Sequence, residues 1–522
     1  MSIQKYNPIP VIIGVGQIND RDQVNRDQVN RDQVNEGDEQ STAGSSRDSL
    51  GLMEAALRAA DRDAGGGWLR RLDSLGVVDQ ISYPELGDVS VPLAKRVGAT
   101  PGICYKSGYA SGDSPLLLLN EAANRIGTGD IKVAAIVGGE ALRTAARRAA
   151  ASGPSGVSTD NAVRAVAMRR GPSYRHRYGL IAPVDVYPLY ENAGRAAYGQ
   201  TLAQGQAESA AIWSRFSEVA ESNPGAWLRR RVSAEEIKTV SAANRPIAFP
   251  YCKLMVANSS VNQGAGFIVT SLTEARARGI SDDRLIFVGP GAAAHEPIDL
   301  MARANYAESP SMRVSLRKAL ELNGLVTADL DHVELYSCFP CVPKMARRVM
   351  DWPLDRPASV FGGLTFGGGP VGNYMSHAVV SMVLALRRDG RHGLLFANGG
   401  LATHNHSIIL SRTPPAPNSF PQNFNFQAEA DALRGTAPQV QEDYLGPATV
   451  ETYTVLYDRQ GLAQQGAIIG RAPNGARLIA KVPAADTATI QWLTSGEQEP
   501  VGMPGAAVKG ADGDTWWAKP VR

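Results

Sequence analysis

Cysteine is scarce. Cys104, Cys252, Cys338 and Cys341 are the only four in 522 residues. That excludes a disulfide framework and fits a reducing compartment. Only "CFPC" (338–341) has CxxC spacing, and with no second pair a zinc site is not indicated. Charge of one sign is also lacking. The 53 Lys+Arg and 51 Asp+Glu leave a net +2. This gives neither the basic footprint of nucleic-acid binding nor a patch for anionic membranes. No apolar run reaches bilayer length, since stretches such as "HAVVSMVLALRR" soon meet charges. "MSIQKYNPIPVIIGVGQ" lacks a basic leader with a long apolar segment, and "AKPVR" carries no peroxisomal tripeptide. The expectation is a cytoplasmic protein with no membrane span.

What is present describes a globular chain. Apolar residues make up 43% and charged residues 20%, enough for a sizeable core. Length alone points to about three or four domains. "PVIIGVGQ" (10–17) reads as a buried strand. Three copies of "RDQVN" (21–35) follow, polar and without apolar period, which fits a repeat-expanded surface loop. A helix is expected over 48–63, with Leu50, Met53, Leu57 and Ala60 on one face. Strands are expected at 72–79 and 131–140. Between them "DSPLLLL" starts a helix running to about Ile126, with Ser114 as its cap and Pro115 in its first turn. Residues 151–250 read as a mostly helical excursion, and 257–271 as a returning strand. A second run of strands and helices spans 284–400, again ending in paired glycines. Apolar strands between helices predict an α/β sheet covered on both faces. "RTPPAPNSFPQ" (412–422) reads as a linker. Beyond it, an alternating strand (449–457) and a hairpin about Asn474-Gly475 predict a small all-β C-terminal domain, barrel-like in shape.

Several motifs carry chemistry beside a blander reading. "CFPC" lies between a strand and a helix, where a helix start can stabilise a thiolate. It is either a redox dithiol, a single reactive Cys338, or two buried thiols. "FGGLTFGGGPVGN" (361–373) lacks the strand–glycine–helix context of a dinucleotide site and reads as the lining of a narrow pocket. In "NGGLATHNH" (398–406), Asn398 and two glycines end a strand. One of His404 and His406 would be exposed and the other would face the site. His377 fits a packed helix position. Arg164, Arg169, Arg170, Arg175 and Arg177 form either a solvated face or a phosphate-holding surface.

Taken in order, several stretches resemble the thiolase superfamily over residues 8–412. "RIGTGDIKVAAIVGGE", "ANSSVNQGAG", "VELYSCF", "GGLTFGGGP" and "FANGGL" stand where thiolases have the segment after the nucleophile, the Asn-Ala-Ser return strand, the Asn-Glu-Ala-Phe or His-Asp-Cys-Phe motif, the Gly-His-Pro motif and the Cys-x-Gly motif. With its extra C-terminal part, the chain is most similar to bacterial type-1 thiolase-like proteins, a group tied to acetyl-CoA acetyltransferases. The resemblance implies a duplicated αβαβα core, with halves at 1–150 plus 251–280 and at 281–412. It also implies a coenzyme A-binding loop insertion at 151–250 and an added β domain with its linker at 413–522. It places the nucleophile at Gly112, the second-motif Asn or His at Tyr336, the activating His at Gly369 and the acid/base Cys at Ala397. Ordinary thiolysis therefore loses its usual residues. Cys338, Tyr336 and His404 remain as candidate reacting groups. Ser114, Arg169, Arg170, Asn258, Ser259, Gly369, Pro370, Asn398 and Gly399 are the candidate ligand contacts. Coenzyme A or an acyl-CoA is the expected ligand, with no permanently bound cofactor and no metal. A homodimer is expected, and a partner protein could bind through the β domain. The alternatives are a non-catalytic coenzyme A-binding subunit and an atypical carbon–carbon bond enzyme using Cys338.

Overall fold

The computed structural model describes residues 8–21, 47–151, 164 and 173–519. Most of the "RDQVN" repeat, and Arg169 and Arg170, lie outside the described residues. The chain opens with β1 (Pro10–Asn19), α1 (Ser49–Asp63), β2 (Ser74–Val77), α2 (Ser90–Arg96), β3 (Ile103–Lys106), α3 (Ser114–Thr128), β4 (Val133–Ala141) and α4 (Leu142–Ala151). The excursion follows, with α5 (Pro183–Ala197), α6 (Leu202–Ser222), α7 (Ala234–Lys238), β5 (Pro246–Ala248) and β6 (Tyr251–Cys252). β7 (Asn262–Ser271) and α8 (Leu272–Ala277) then return to the sheet.

The second run comprises β8 (Ile286–His295), α9 (Pro310–Leu322), β9 (His332–Glu334), α10 (Cys341–Met350), α11 (Tyr374–Arg388), β10 (His392–Gly399) and β11 (His404–Ser411). The strands form one sheet in the order β3-β2-β4-β7-β1-β8-β11-β10-β9. β1 and β8 join the two runs through only two residue pairs, Val11↔Phe287 and Ile12↔Ile286. The runs correspond strand for strand: β1 with β8, β2 with β9, β4 with β10 and β7 with β11. β3 has no counterpart; at that place the second run has the glycine-rich segment 361–373.

The expected apolar face of α1 is buried, and Asp48 caps the helix by accepting from the Gly51 amide at 2.7 Å. Gly14 and Gly16 lie under this helix, where a Cβ would run into the carbonyls of Ala60 and Ala56. The glycines of "GVGQ" thus serve close helix–strand packing. α3 and α11 form the middle layer, touching each other and strands of both runs. This explains the leucine run. Leu116, Leu118, Leu119, Ala122, Ala123 and Ile126 are all buried, as a helix apolar on nearly every side must be. Truncating Leu116 or Leu119 to Ala should cost about 2–5 kcal/mol.

The C-terminal part contains α12 (Gln427–Leu433), β12 (Gly446–Tyr457), β13 (Ala463–Arg471), β14 (Arg477–Pro483), α13 (Thr487–Thr494), β15 (Pro504–Lys509) and β16 (Thr515–Ala518). Its strands run β13-β14-β16-β15-β12, and a β12–β13 pairing closes the ring into a barrel. Two short helices thus accompany the expected β domain. β5 and β6 of the excursion extend the same sheet beyond β12. Ile468, Leu478 and Ala480 fill the barrel, while Ala467, Ile469 and Ile479 join the core of the larger sheet. The stretch expected as a linker is docked. Phe420 is buried against Gly127, and Asn124 and Gln422 exchange hydrogen bonds of 2.9 and 2.8 Å.

Candidate functional site

The N-terminal ends of α3 and α11 meet. Gly372 lies against Ala110 and Ser111, at 3.0–3.1 Å from an ideal Cβ. The segment entering α3 is tied internally, and this corrects the expected cap. Asp113, not Ser114, holds the cap position, and it makes no side-chain capping bond. Its carboxylate instead accepts the Ser111 hydroxyl. Ser114 is the first helical residue; its hydroxyl accepts from the Ser111 amide at 3.3 Å and donates to the Tyr109 carbonyl at 3.2 Å.

Gly112 sits at the centre of this arrangement. A Cβ there would overlap both the Tyr336 hydroxyl and the Asn398 carbonyl oxygen. Tyr336 follows β9 in the left-handed region, at φ 44°. Its ring meets the edge of Tyr374 at 5.5 Å. Below it, the Glu334 carboxylate accepts from Tyr374 Oη at 2.9 Å and Ser359 Oγ at 2.7 Å. Burial pushes Glu334 up to about 7, against these hydrogen bonds. Burial, with Cys338, Asp113 and Glu334 nearby, raises the Tyr336 phenol well above its ordinary value. Tyr336 therefore presents a neutral O–H.

The glycine-rich segment supplies a second wall. The Gly369 amide donates to the Asn258 carbonyl at 2.8 Å, and the Asn258 amide donates to Leu364 O at 3.0 Å. Asn258, Ser259, Gly369 and Pro370 are thereby brought together beside the 110–112 segment. Val371 donates to Gly369 O at 2.7 Å around Pro370, and adopts φ 44° itself.

β10 supplies the third. Ala397 is fully buried opposite His406, and Asn398 lies opposite Asn405. A Cβ on Gly399 would meet Ser111 and Asp113. Asn398 Oδ1 accepts from the Tyr187 hydroxyl at 2.9 Å, which in turn accepts from the Ala402 amide at 2.8 Å. Tyr187 also stacks on Phe339 with ring centres 4.5 Å apart. The sequence reading missed Tyr187. Its only signal was a pair of tyrosines, Tyr187 and Tyr190, one helical turn apart in an otherwise unremarked helix.

Cys338 and Cys341 are free, buried thiols. Burial pushes Cys338 up to about 12 and Cys341 well above its ordinary value. The helix start does not offset that desolvation, so both stand as neutral, buried thiols near neutral pH. Neither histidine of the pair is exposed. His404 lies at the rim, with Nε2 2.6 Å from Tyr109 Oη and Nδ1 2.8 Å from His295 Nδ1. His406 is buried beneath, 2.5 Å from Asn120 Nδ2, and burial lowers it to about 4. His377 is fully buried and stacked on Phe361. Among the described arginines of the 164–177 run, Arg164 pairs with Asp185 at 2.7 Å. Arg177 pairs with Asp514 at 3.1 Å. Arg175 donates to the carbonyls of Leu180 and Ile181. These three fasten the excursion. Among the described residues no group of three or more His, Cys, Asp or Glu could hold a metal ion, and no helix is long and apolar enough to cross a membrane.

Residues 427–513 match the thiolase-like protein type 1 additional C-terminal domain. No curated protein matches the chain. A monomeric SCP2-thiolase-like protein type 1 from Mycobacterium smegmatis is similar over 98% of this chain and 99% of its own, with 30% identity and a TM-score of 0.78. An acetyl-CoA acetyltransferase from Syntrophomonas wolfei shares 15% identity at a TM-score of 0.53, over 78% of this chain and all of its own. Human mitochondrial 3-ketoacyl-CoA thiolase in complex with CoA shares 13% at 0.55, over 78% of this chain and 98% of its own. These last two likenesses concern the fold alone.

Proposed function

The chain belongs to the SCP2-thiolase-like type 1 proteins, and from that membership we infer that it binds acyl esters of coenzyme A without running the ordinary thiolysis cycle. One observation carries this reading: position 112 has no side chain, and the Tyr336 hydroxyl fills the space one would need. Covalent acyl transfer requires a nucleophile at the thioester carbonyl. Cys338, a neutral thiol held at about 12, is a poor replacement.

The donors left around Gly112 are the Tyr336 hydroxyl and the backbone N–H groups entering α3, with the Asn398 main-chain carbonyl and the Asp113 carboxylate beside them as acceptors. The hydroxyl and the N–H groups can stabilise an oxyanion. Carbon–carbon bond formation or cleavage without an acyl-enzyme is the chemistry they suit. Ser114, Asn258, Ser259, Gly369, Pro370, Asn398 and Gly399 would line the thioester and its pantetheine arm. Arg169 and Arg170 would hold phosphate, and His404 would stand at the rim. A second reading, a non-catalytic coenzyme A-binding subunit, is favoured by the same filled nucleophile space. Pairing across the β3 edge is the assembly expected of a thiolase core, against the monomeric state of the Mycobacterium smegmatis relative; light scattering separates the two.

Thermal shift with coenzyme A, acetyl-CoA and longer acyl-CoAs tests binding. A ligand at 100 times its dissociation constant should add about 2.7 kcal/mol. No shift with any of them would sink the reading. Intact-protein mass spectrometry after incubation with acetyl-CoA should find no acyl adduct. Cys338→Ala should leave binding intact; a loss of all turnover in that variant would restore Cys338 as the reacting group.

A further inference from the structure

Arg477 stands on β14 of the appended barrel with no exposed surface. Its Nε and Nη2 donate to the Glu451 carboxylate at 2.8 and 2.6 Å. Its Nη1 leaves the barrel and donates to the carbonyls of Met301 and Arg303 at 2.7 and 2.6 Å. The guanidinium also lies 4.6 Å over the Tyr306 ring. A lysine could not make this set of bonds, because the fork geometry is what reaches carboxylate and carbonyls together.

The segment that Arg477 holds does the same for the site. Arg303, itself buried, donates from Nη2 to the carbonyls of Leu401 and Ala402 at 2.9 and 2.8 Å. The Tyr190 hydroxyl donates to Leu401 O at 2.9 Å. Ala402 is held at φ 57°, a conformation that costs a non-glycine residue energy unless its surroundings impose it. Its amide donates to Tyr187, whose hydroxyl donates to Asn398, whose carbonyl faces Gly112. Tyr187 also borders the Cys338 thiol. The helix bearing Tyr187 and Tyr190 is gripped by β12 as well. Thr452 Oγ1 donates to Leu189 O at 2.6 Å, and Asn192 Nδ2 donates to Tyr453 O at 2.9 Å.

We propose that Arg477 is a positioning residue for the site: acting through Arg303, it lets the appended barrel set the 401–402 turn, and with it Tyr187, Asn398 and the packing over Cys338. The barrel is then a working part of the thiolase-like site, joined in the same chain. The claim does not depend on which ligand the site takes.

Cys338 supplies a readout that needs no ligand. Alkylation by N-ethylmaleimide in the folded full-length protein is followed by mass spectrometry and normalised to half-exposed Cys104. Arg303→Met and Arg477→Met should each raise Cys338 labelling about tenfold or more, as expected when a local opening becomes cheaper. Arg477→Lys should fall between them and wild type. Ile468→Ala, which empties the barrel interior without touching the relay, should lower the melting temperature and leave Cys338 labelling unchanged. If Arg477→Met does not fold, Arg303→Met and Arg477→Lys decide. Wild-type labelling in Arg303→Met would overturn the proposal. So would labelling in Ile468→Ala equal to that of the arginine variants at matched loss of stability.

Discussion

A methyl group on Gly112 would meet the Tyr336 hydroxyl and the Asn398 carbonyl at once, so the glycine and the tyrosine are a matched pair. Gly112→Ala should cost about 1–3 kcal/mol, as overpacking usually does. Tyr336→Ala removes one of the two overlaps, so Gly112→Ala should cost less in that background. Urea unfolding of the four-member cycle reads this coupling. An equal cost in both backgrounds would break the pairing. The buried titratable groups set a pH dependence of two signs. Burial lowers His377 to about 3, so between about pH 6.5 and 3 the unfolded chain binds a proton that the folded chain refuses. Stability from this group falls as pH falls through that window. The gap between wild type and His377→Gln should therefore narrow from pH 7 to pH 4. Glu334, raised to about 7, works the other way. Its folded form takes up a proton first, so wild type should gain on Glu334→Gln as pH falls from about 8 to 5. Denaturant midpoints across pH measure both.

At the scale of elements, the missing counterpart of β3 matters most. The chain from α10 to α11 crosses that place as a glycine-rich segment, and its backbone is what Asn258 and Ala110 touch. Val371 adopts φ 44° within it, where a β-branched residue is strained by about 1–3 kcal/mol. Val371→Gly should thus cost nothing or add up to about 1 kcal/mol, after the entropy lost by a glycine is counted. Destabilisation well beyond 1 kcal/mol in urea would show that the strain is not there. The thiols of "CFPC" teach a related point. A helix start favours a thiolate only where water or charge reaches it, and these sulfurs are buried among Tyr187, Phe339 and Tyr251.

For the whole molecule, the barrel shares one core with the larger sheet. Ala467, Ile469 and Ile479 belong to one apolar core with residues of both strand runs, and Arg477 and the Arg195–Glu499 ion pair add polar ties. Calorimetry should therefore find one transition, with calorimetric and van't Hoff enthalpies in agreement. Removal of residues 427–522 would bare this apolar face, and the shortened chain should be insoluble. A separate transition for the barrel, or a soluble truncated chain, would contradict a shared core.

Apolar patterning in the sequence determined where the strands and helices lie. Continuous apolar runs marked β1, β4 and β10, the leucine run marked α3, and Asn474-Gly475 marked the β13–β14 hairpin, because burial and turn chemistry act over a few neighbouring residues. The resemblance to thiolases points to Gly112, Tyr336, Gly369 and Ala397 as the places of that family's reacting groups, an expectation drawn from motif order. Tertiary structure alone decided what fills the place beside Gly112, because Tyr336 is 224 residues away in the chain and reaches it through a left-handed backbone. It alone decided that the Cys338 and Cys341 thiols are desolvated, and that Tyr187 and Arg477 belong to the surroundings of the site. Those properties depend on which side chains meet across the two strand runs and the barrel, and local periodicity carries no record of such meetings.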